Sequence, residues 1–366
     1  MQGRVRISLD SALAFLLAGA SVWSCGQTVV LEDLIADGGT SSPKDGSSSD
    51  RSSSDSSSND ARCFGNPPPL FFNQETPEMV IALDRSSAMS DPFGGDPSQV
   101  YSALNALRPE VLRFSAQAPN SQPLIRFAFV DFPDNAPNCN AAPNCCSSDV
   151  TPTTSDSAFE AAAVCNPPRD CYQAPQRPTA YALSRSQNFL QIEPQTGQRF
   201  VLLVTDGPPS GCSTSGRDPC GDAITQVGSL SNSGIKTIVV SIGDGSNASC
   251  LLDLASVEGA QGAPFFYPAS SPNDLTAALA TIVSNVAQGA CRLDLTTMPI
   301  APDQISVLFN GVLVPRDINN GWSLGGNGGS RLMLNGMACQ ELIQEGSFGI
   351  KIFDGCSGGH FGPQTP

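Results

Sequence analysis

Two apolar segments that are each followed by an aspartate constrain the fold more than any other feature of the sequence. Met79–Leu83 leads into Asp84, and Phe200–Val204 is followed closely by Asp206. Continuous apolar runs of this length predict strands that are buried on both faces, as in parallel sheets. Helical periodicity elsewhere, as in Val100–Phe114, predicts that helices alternate with these strands. The expected fold class is therefore α/β, with a doubly wound and mostly parallel sheet.

The two aspartates are predicted to meet in one crevice. In an open sheet of this class, the first strands of the two halves are neighbours at the point where the winding direction reverses, and ligands bind there. Two carboxylates at that short distance repel each other unless a cation or a proton joins them. Serine hydroxyl groups beside Asp84 add neutral oxygens. This donor set suits Mg²⁺, Mn²⁺ or Ca²⁺ as a cofactor.

Three segments carry a resemblance to a known family. LDRSSAMS, RPTAYAL and LLVTDGPPS, in this order, resemble the metal-ion-dependent adhesion site of the von Willebrand factor A (vWA) domain family, over about residues 77–288. The resemblance implies a Rossmann-like vWA fold, no enzymatic activity, and a metal bound by D-x-S-x-S, a threonine and the T-D-G aspartate. Asp84, Ser86 and Asp206 match that pattern. The family site leaves one metal position open for an acidic group of the partner.

Two positions depart from the family pattern. Ala88 stands where the second serine is expected, and Arg177 stands where the coordinating threonine is expected; Thr179 matches the second threonine of that stretch. The guanidinium group of Arg177 is predicted to replace the metal's charge through a salt bridge with Asp84 or Asp206. Two alternatives stay open: weak metal coordination by shifted hydroxyl groups, and a register in which Thr179 is itself a metal ligand.

The sequence predicts four parts of the chain with different roles. Residues 1–24 are expected to be a lipoprotein-type signal peptide, and residues 25–62 a flexible tether rich in serine, aspartate and glycine. Residues 63–290 are expected to form the vWA-like domain, with a disulfide-stapled Cys/Pro-rich insertion at residues 133–178. Residues 291–366 are expected to form a small, β-rich, disulfide-containing domain.

The amino-terminal segment predicts a lipid anchor on Cys25. Arg4 and Arg6 precede the short apolar run Ala12–Ala20, and acylation of Cys25 leaves an even number of the thirteen cysteines. Ordinary secretion, with cleavage directly after this run, is the alternative. Gly26 lacks the aspartate that retains many lipoproteins at the inner membrane, which favours the outer membrane of a Gram-negative bacterium. The membrane would then be a partner through the lipid.

The cysteines are predicted to form disulfides in an oxidising compartment. A zinc site is not expected, because no pair of C-x-x-C motifs occurs and His360 is the only histidine. The predicted pairs are Cys212–Cys220 and Cys339–Cys356, because each closes a short local loop.

The region after Cys291 is predicted to contain strands and no helix. Short strand-like runs occur at Ile305–Phe309, Arg331–Leu334 and Phe348–Phe353. The segment RLMLNGMACQ, interpreted as a strand, and the final Gly-Cys356 resemble the tail of secreted vWA-type lipoproteins of Gram-negative bacteria.

These observations predict a non-enzymatic module for adhesion or protein–protein recognition at the cell envelope. The formal net charge of −15 argues against nucleic-acid binding, which needs a basic face. The insertion, at the strand ends, is expected to select the protein partner. A structural envelope protein with no ligand at the crevice is the alternative. A hydrolase is a remote one, because His360 would be its base and Arg177 is expected to keep both aspartates ionised.

Overall fold

The structure is a computed structural model, and it describes ten parts of the chain. They are residues 69–115, 123–133, 151–153, 159, 175–193, 197–211, 218–243, 249–257, 265–345 and 349–354. Several predicted features lie outside the described residues: the signal peptide, the lipidation site Cys25, the tether, most of the insertion, Cys212, Cys356 and His360.

The described residues contain fourteen strands and six helices, numbered here in chain order. The strands are β1 Pro69–Leu70, β2 Phe72–Gln74, β3 Glu78–Asp84, β4 Arg126–Phe132, β5 Thr151–Thr153, β6 Arg199–Thr205, β7 Ile235–Ile242, β8 Phe266–Ala269, β9 Arg292–Leu295, β10 Ser306–Phe309, β11 Val312–Val314, β12 Trp322–Gly325, β13 Arg331–Leu334 and β14 Ile350–Phe353. The helices are α1 Gln99–Ser115, α2 Thr179–Ile192, α3 Pro219–Asn232, α4 Ser249–Ser256, α5 Pro272–Ala287 and α6 Gly336–Glu345. None of these helices is long and apolar enough to cross a membrane.

The centre of the molecule is a six-stranded sheet with the order β5-β4-β3-β6-β7-β8. Five strands are parallel, and the short edge strand β5 is antiparallel to β4. Because β3 pairs with β4 on one side and with β6 on the other, the winding direction reverses at β3. The predicted α/β fold class and the predicted adjacency of the two apolar segments are confirmed.

Side chains of β3 alternate between two apolar cores. Ile81 and Leu83 face the core that α1 and α5 cover, whereas Val80 and Ala82 face the core that α2, α3 and α4 cover. All four side chains are fully buried. Full burial of a large aliphatic side chain contributes about 1.5–3 kcal/mol. Apolar residues from Met79 to Leu83 are therefore required, since neither face of this part of β3 meets water.

Local capping residues set where several helices begin. The Asp218 carboxylate accepts a hydrogen bond from Gly221 N–H ahead of α3, and the Ser271 hydroxyl accepts one from Asp274 N–H ahead of α5. In α1 the cap is Ser98, whose hydroxyl accepts from Tyr101 N–H at 3.1 Å.

The carboxyl-terminal region contains two antiparallel four-stranded sheets, β1-β14-β10-β11 and β12-β13-β9-β2. Strands β1 and β2 precede the central sheet in sequence, so residues 291–366 do not complete these sheets alone. The apolar core of this region is also continuous with the α1–α5 face of the central sheet. Trp322 belongs to that core, is 2% exposed and donates a hydrogen bond from Nε1 to Val314 O at 3.1 Å.

The prediction that no helix occurs after Cys291 is wrong. The segment RLMLNGMACQ forms strand β13 only as far as Leu334, and helix α6 begins at Gly336. One face of α6 buries Ala338, Leu342 and Ile343, at helical spacing. A helix of ten residues offers fewer than three turns of periodicity, which is why the pattern was weak in the sequence.

The disulfide pairs also differ from the predicted ones. Cys220 bonds Cys250 with a Cα–Cα distance of 6.1 Å, and Cys291 bonds Cys339 with a Cα–Cα distance of 5.5 Å. The pairs Cys212–Cys220 and Cys339–Cys356 are therefore wrong. Cys220 and Cys250 lie in the first turns of α3 and α4, which pack side by side on the same sheet face. Closing a 30-residue loop rather than an eight-residue one costs only about 1 kcal/mol more, so tertiary proximity decides the pairing.

Candidate functional site at the strand ends

The site lies at the carboxyl ends of β3 and β6, where the winding direction reverses. Asp84 is the last residue of β3 and is completely buried. Its Oδ1 atom accepts a hydrogen bond from Ser86 N–H at 2.7 Å, and its Oδ2 atom accepts one from the Thr205 hydroxyl at 2.6 Å. Both oxygens of this carboxylate are therefore held by neighbouring strand ends.

Arg177 joins the two aspartates that the sequence predicts to meet. Its Nε atom lies 3.2 Å from Asp84 Oδ2 and 2.9 Å from Asp206 Oδ1, and its Nη2 atom lies 2.7 Å from Asp206 Oδ1. The side chains of Arg177, Asp84 and Asp206 are 15%, 0% and 9% exposed. The guanidinium group thus occupies the space between the carboxylates and is largely shielded from water.

The backbone of Arg177 is fixed by the loop that follows β6. Arg177 N–H donates to Ser210 O at 3.0 Å, and Ser210 N–H donates to Arg177 O at 3.1 Å, which makes an isolated antiparallel bridge. The guanidinium group also packs against Gly207, where an added Cβ would lie 3.2 Å from Arg177 Cζ. Main chain and side chain of Arg177 are therefore bound to the same loop, which includes Asp206.

The surroundings of Asp84 favour its protonated form more than those of an ordinary aspartate do. Burial, together with the charge of Asp206, raises the pKa of Asp84 to about 6, against the opposing effects of Thr205, Ser86 N–H and Arg177. Asp84 is thus mainly ionised at neutral pH and protonated in mild acid. The expectation that Arg177 keeps this carboxylate ionised holds only above about pH 6.

The donor atoms predicted for a divalent metal do not fit one in this arrangement. Arg177 places its own cation between the two carboxylates, and Ala88 has no side-chain oxygen. Thr179 donates its hydroxyl to Arg177 O at 3.4 Å, whereas the Ser86 hydroxyl is buried without a hydrogen-bond partner. Within the described ranges, no cluster of three or more His, Cys, Asp or Glu side chains could hold a metal ion. The ligand set Asp84, Ser86, Thr179 and Asp206 stays a prediction.

Sequence reasoning missed several residues that build this edge of the sheet. Thr205 lies next to Asp206 in the T-D-G segment, and its position in the strand could have indicated the bond to Asp84. Ser210 gave no signal, because its contact depends on the path of the loop. A second ion pair was also missed: Arg85 Nε lies 3.0 Å from Asp131 Oδ1, with both side chains at most 15% exposed.

The chain was compared with protein-family models, curated proteins and solved structures. No family model and no curated protein matches it. Proximal thread matrix protein 1 from the mussel byssus is 18% identical, with a TM-score of 0.40, over 61% of this chain and 48% of that one. The pilus adhesin SpaC from Lactobacillus rhamnosus GG is 12% identical, with a TM-score of 0.48, over 76% of this chain and 39% of that one. The VWA domain of SpRpn10 is 12% identical, with a TM-score of 0.38, over 57% of this chain and 95% of that one.

The chain thus spans about half the length of the mussel protein. Because each of these TM-scores is below 0.5, these similarities carry no conclusion about function. Three features of the chain define its fold: the sheet order, the reversal of winding at β3, and the D-x-S and T-D-G segments at adjacent strand ends. By these criteria, the α/β part of the chain has a von Willebrand factor A-like fold.

Proposed function

We propose that the protein is a non-enzymatic module for adhesion or protein–protein recognition, anchored in the cell envelope by a lipid on Cys25. The single observation that carries the recognition part is the guanidinium group of Arg177 between Asp84 and Asp206. This guanidinium group joins the two strand ends that form the crevice, and it supplies the positive charge there from the protein itself. Recognition there is therefore independent of a divalent metal, and the surfaces that contact the partner are the loops around the ion pair.

The chemistry at the crevice favours binding over catalysis. Both carboxylates are held by the same arginine, so neither is positioned to exchange a proton with a bound substrate.

The exposed Ser87 and Asp91, in the loop after β3, form part of the rim that a partner would touch. The insertion at residues 133–178 enters and leaves at the same edge, since it begins after β4 and ends just before α2. It would supply partner choice.

A structural envelope protein with no ligand at the crevice is the second candidate. The observation that favours it is the low exposure of the three charged side chains, of which Arg177 shows 15% to solvent. On that reading the ion pair serves only to hold β3, β6 and the Ser210 loop together.

Capture from envelope extracts separates the two candidates and tests the metal independence. The full chain, immobilised, is expected to retain the same protein in equal amounts with EDTA and with Mg²⁺. Ser87→Arg, which places a bulky charge on the rim, is expected to reduce capture at least about tenfold. Thr297→Arg, at an exposed position of the carboxyl-terminal region, is the matched control and should leave capture unchanged.

Each alternative has its own outcome in this experiment. Equal capture by both variants, or no retained protein, would favour the structural role. Capture that disappears in EDTA would contradict the proposal that Arg177 has replaced a metal.

A further inference from the structure

A second cavity lies at the opposite end of the central strands from Asp84. It has a volume of about 370 Å³ and lies at the amino-terminal ends of β3 and β4, beside the last turn of α2. This volume is within the usual range for small-ligand sites. Strand β3 has seven residues, so the cavity is about 20 Å from the strand-end crevice. It is therefore a separate feature of the fold.

The walls of this cavity are mainly apolar. Phe189 contributes an aromatic wall and Leu190 an aliphatic one, and Pro123 and Pro152 are also part of the lining. Such walls suit a hydrocarbon stem, because each buried methylene group contributes about 0.8 kcal/mol. The walls alone do not select a ligand.

Glu78 supplies the polar group of the cavity. Its side chain is 5% exposed, and its Oε1 atom accepts a hydrogen bond from Arg126 Nη1 at 3.3 Å. Its Oε2 atom is buried and has no hydrogen-bond partner. A buried carboxylate oxygen without a donor costs free energy, which a ligand that donates a hydrogen bond would recover. Burial also raises the pKa of Glu78.

The charges around Glu78 favour a cation over an anion. Glu193 also lines the cavity, and its carboxylate has no hydrogen bond or ion pair within the described ranges. The two cations that face Glu78 already have acceptors. Arg126 is bound to Oε1, and Arg199 donates to Leu190 O at 3.1 Å and to Ser233 O. The carboxyl-terminal end of α2 adds a partial negative charge beside the cavity.

We propose that this cavity binds a primary ammonium group on an aliphatic stem. The ammonium group donates to Glu78 Oε2 and the stem packs against Phe189 and Leu190, on the α2 face of the sheet. A lysine side chain has this chemistry, as does a free alkylamine. A lysine side chain fits this site, because its methylene groups pack readily against apolar surface and its ammonium group needs a hydrogen-bond acceptor.

Methyl NMR of the full chain, with labelled Leu, Ile and Val, tests this proposal. The probe is n-pentylamine, and the controls are 1-pentanol and hexanoate, which carry the same pentyl chain. We expect saturable shifts of the Leu190 methyl signals with the amine at roughly tenfold lower concentration than with the alcohol, and none with the carboxylate. A second arm compares the peptide Ac-Gly-Lys-Gly-NH₂ with its norleucine analogue, which distinguishes a lysine side chain from a free amine as the ligand.

Variants assign the effect to the carboxylate. Glu78→Gln keeps the size of the side chain and is expected to weaken amine binding roughly tenfold. Glu193→Gln should weaken it about twofold, because Glu193 is only partly buried. Glu110→Gln is the matched control, since Glu110 Oε2 is also buried without a partner but lies on α1, which packs on the other face of the sheet.

The proposal has clear contrary results. Equal affinity for amine and alcohol would show an apolar cavity without cation selectivity, and absence of shifts with the amine would show that Oε2 is satisfied without a ligand. Either result overturns the proposal in the unmodified protein, even where Glu78→Gln does not fold.

Discussion

The two ends of strand β3 each carry a buried carboxylate, and the two are treated very differently by their surroundings. Asp84, at the carboxyl end, accepts hydrogen bonds at both oxygens, from Ser86 N–H, Thr205 and Arg177. Glu78, at the amino end, accepts one bond at Oε1 and none at Oε2. Burial raises the pKa of both groups. The difference therefore lies in hydrogen bonding, and it indicates a structural role for Asp84 and an open ligand position at Glu78.

The arginines that pair with these two carboxylates also come from different parts of the fold. Arg126 is the direct neighbour of Glu78 across two parallel strands, so strand register alone places it there. Arg177 reaches Asp84 from a segment 93 residues away, through the bridge to Ser210. Arg177, which its loop contacts hold in place, is only 15% exposed, whereas Arg126 is 44% exposed. Substitution of each arginine tests whether the two ion pairs also differ in their contribution to the free energy of unfolding.

The largest expected effect is the loss of Arg177. Arg177→Met leaves two nearly buried carboxylates without their cation, and we expect the free energy of unfolding to fall by about 3–5 kcal/mol at pH 8. Arg126→Met is the matched change at the other end of β3, with an expected loss of about 1 kcal/mol because Arg126 is substantially exposed. Urea denaturation measures both. Equal losses would remove the distinction between the two ends.

The pH dependence of Asp84 gives a somewhat smaller effect. A pKa of about 6 in the folded protein, against 3.8 for an ordinary aspartate, means that the folded state binds the proton more tightly. This contribution to stability is fully present below about pH 4 and is lost as the pH rises through about 6, by about 3 kcal/mol in total. The stability of the wild type relative to Asp84→Asn should therefore decrease over that interval. A constant difference from pH 4 to 7 would contradict the raised pKa.

Restoring the family's metal ligands should have the next largest effect. Ala88→Ser combined with Arg177→Thr removes the guanidinium group and supplies the two missing hydroxyl groups. We expect Mg²⁺ or Mn²⁺ at a hundredfold excess over Kd to stabilise this variant by about 2.7 kcal/mol, seen as a rise in Tm, and to leave the wild type unchanged. Ala88→Ser alone keeps the arginine and is the control. Strong stabilisation of the wild type that Asp84→Ala abolishes would contradict the arginine-filled site.

Local patterns predicted the central sheet well, because both of its faces are buried. Apolar runs indicated β3 and β6. Short elements were predicted less well. Helix α6 was interpreted as a strand, because its ten residues carry too little periodicity to outweigh the strand that precedes it.

The sequence by itself determined the α/β class, the order of the apolar strands and the presence of two aspartates at one switch point. The fold class and the apolar strands follow from hydrophobic periodicity, which is a local property of the chain. The position of the aspartates follows from the rule that the carboxyl ends of parallel strands lie at the same edge of the sheet. Tertiary structure alone decided that Cys220 pairs with Cys250 and that β1 and β2 complete the carboxyl-terminal sheets. It also decided that Arg177 binds both aspartates, whereas Glu78 keeps one oxygen free. The physical reason is that hydrogen bonds and disulfides need atoms within a few ångströms, and chain separation does not specify such distances.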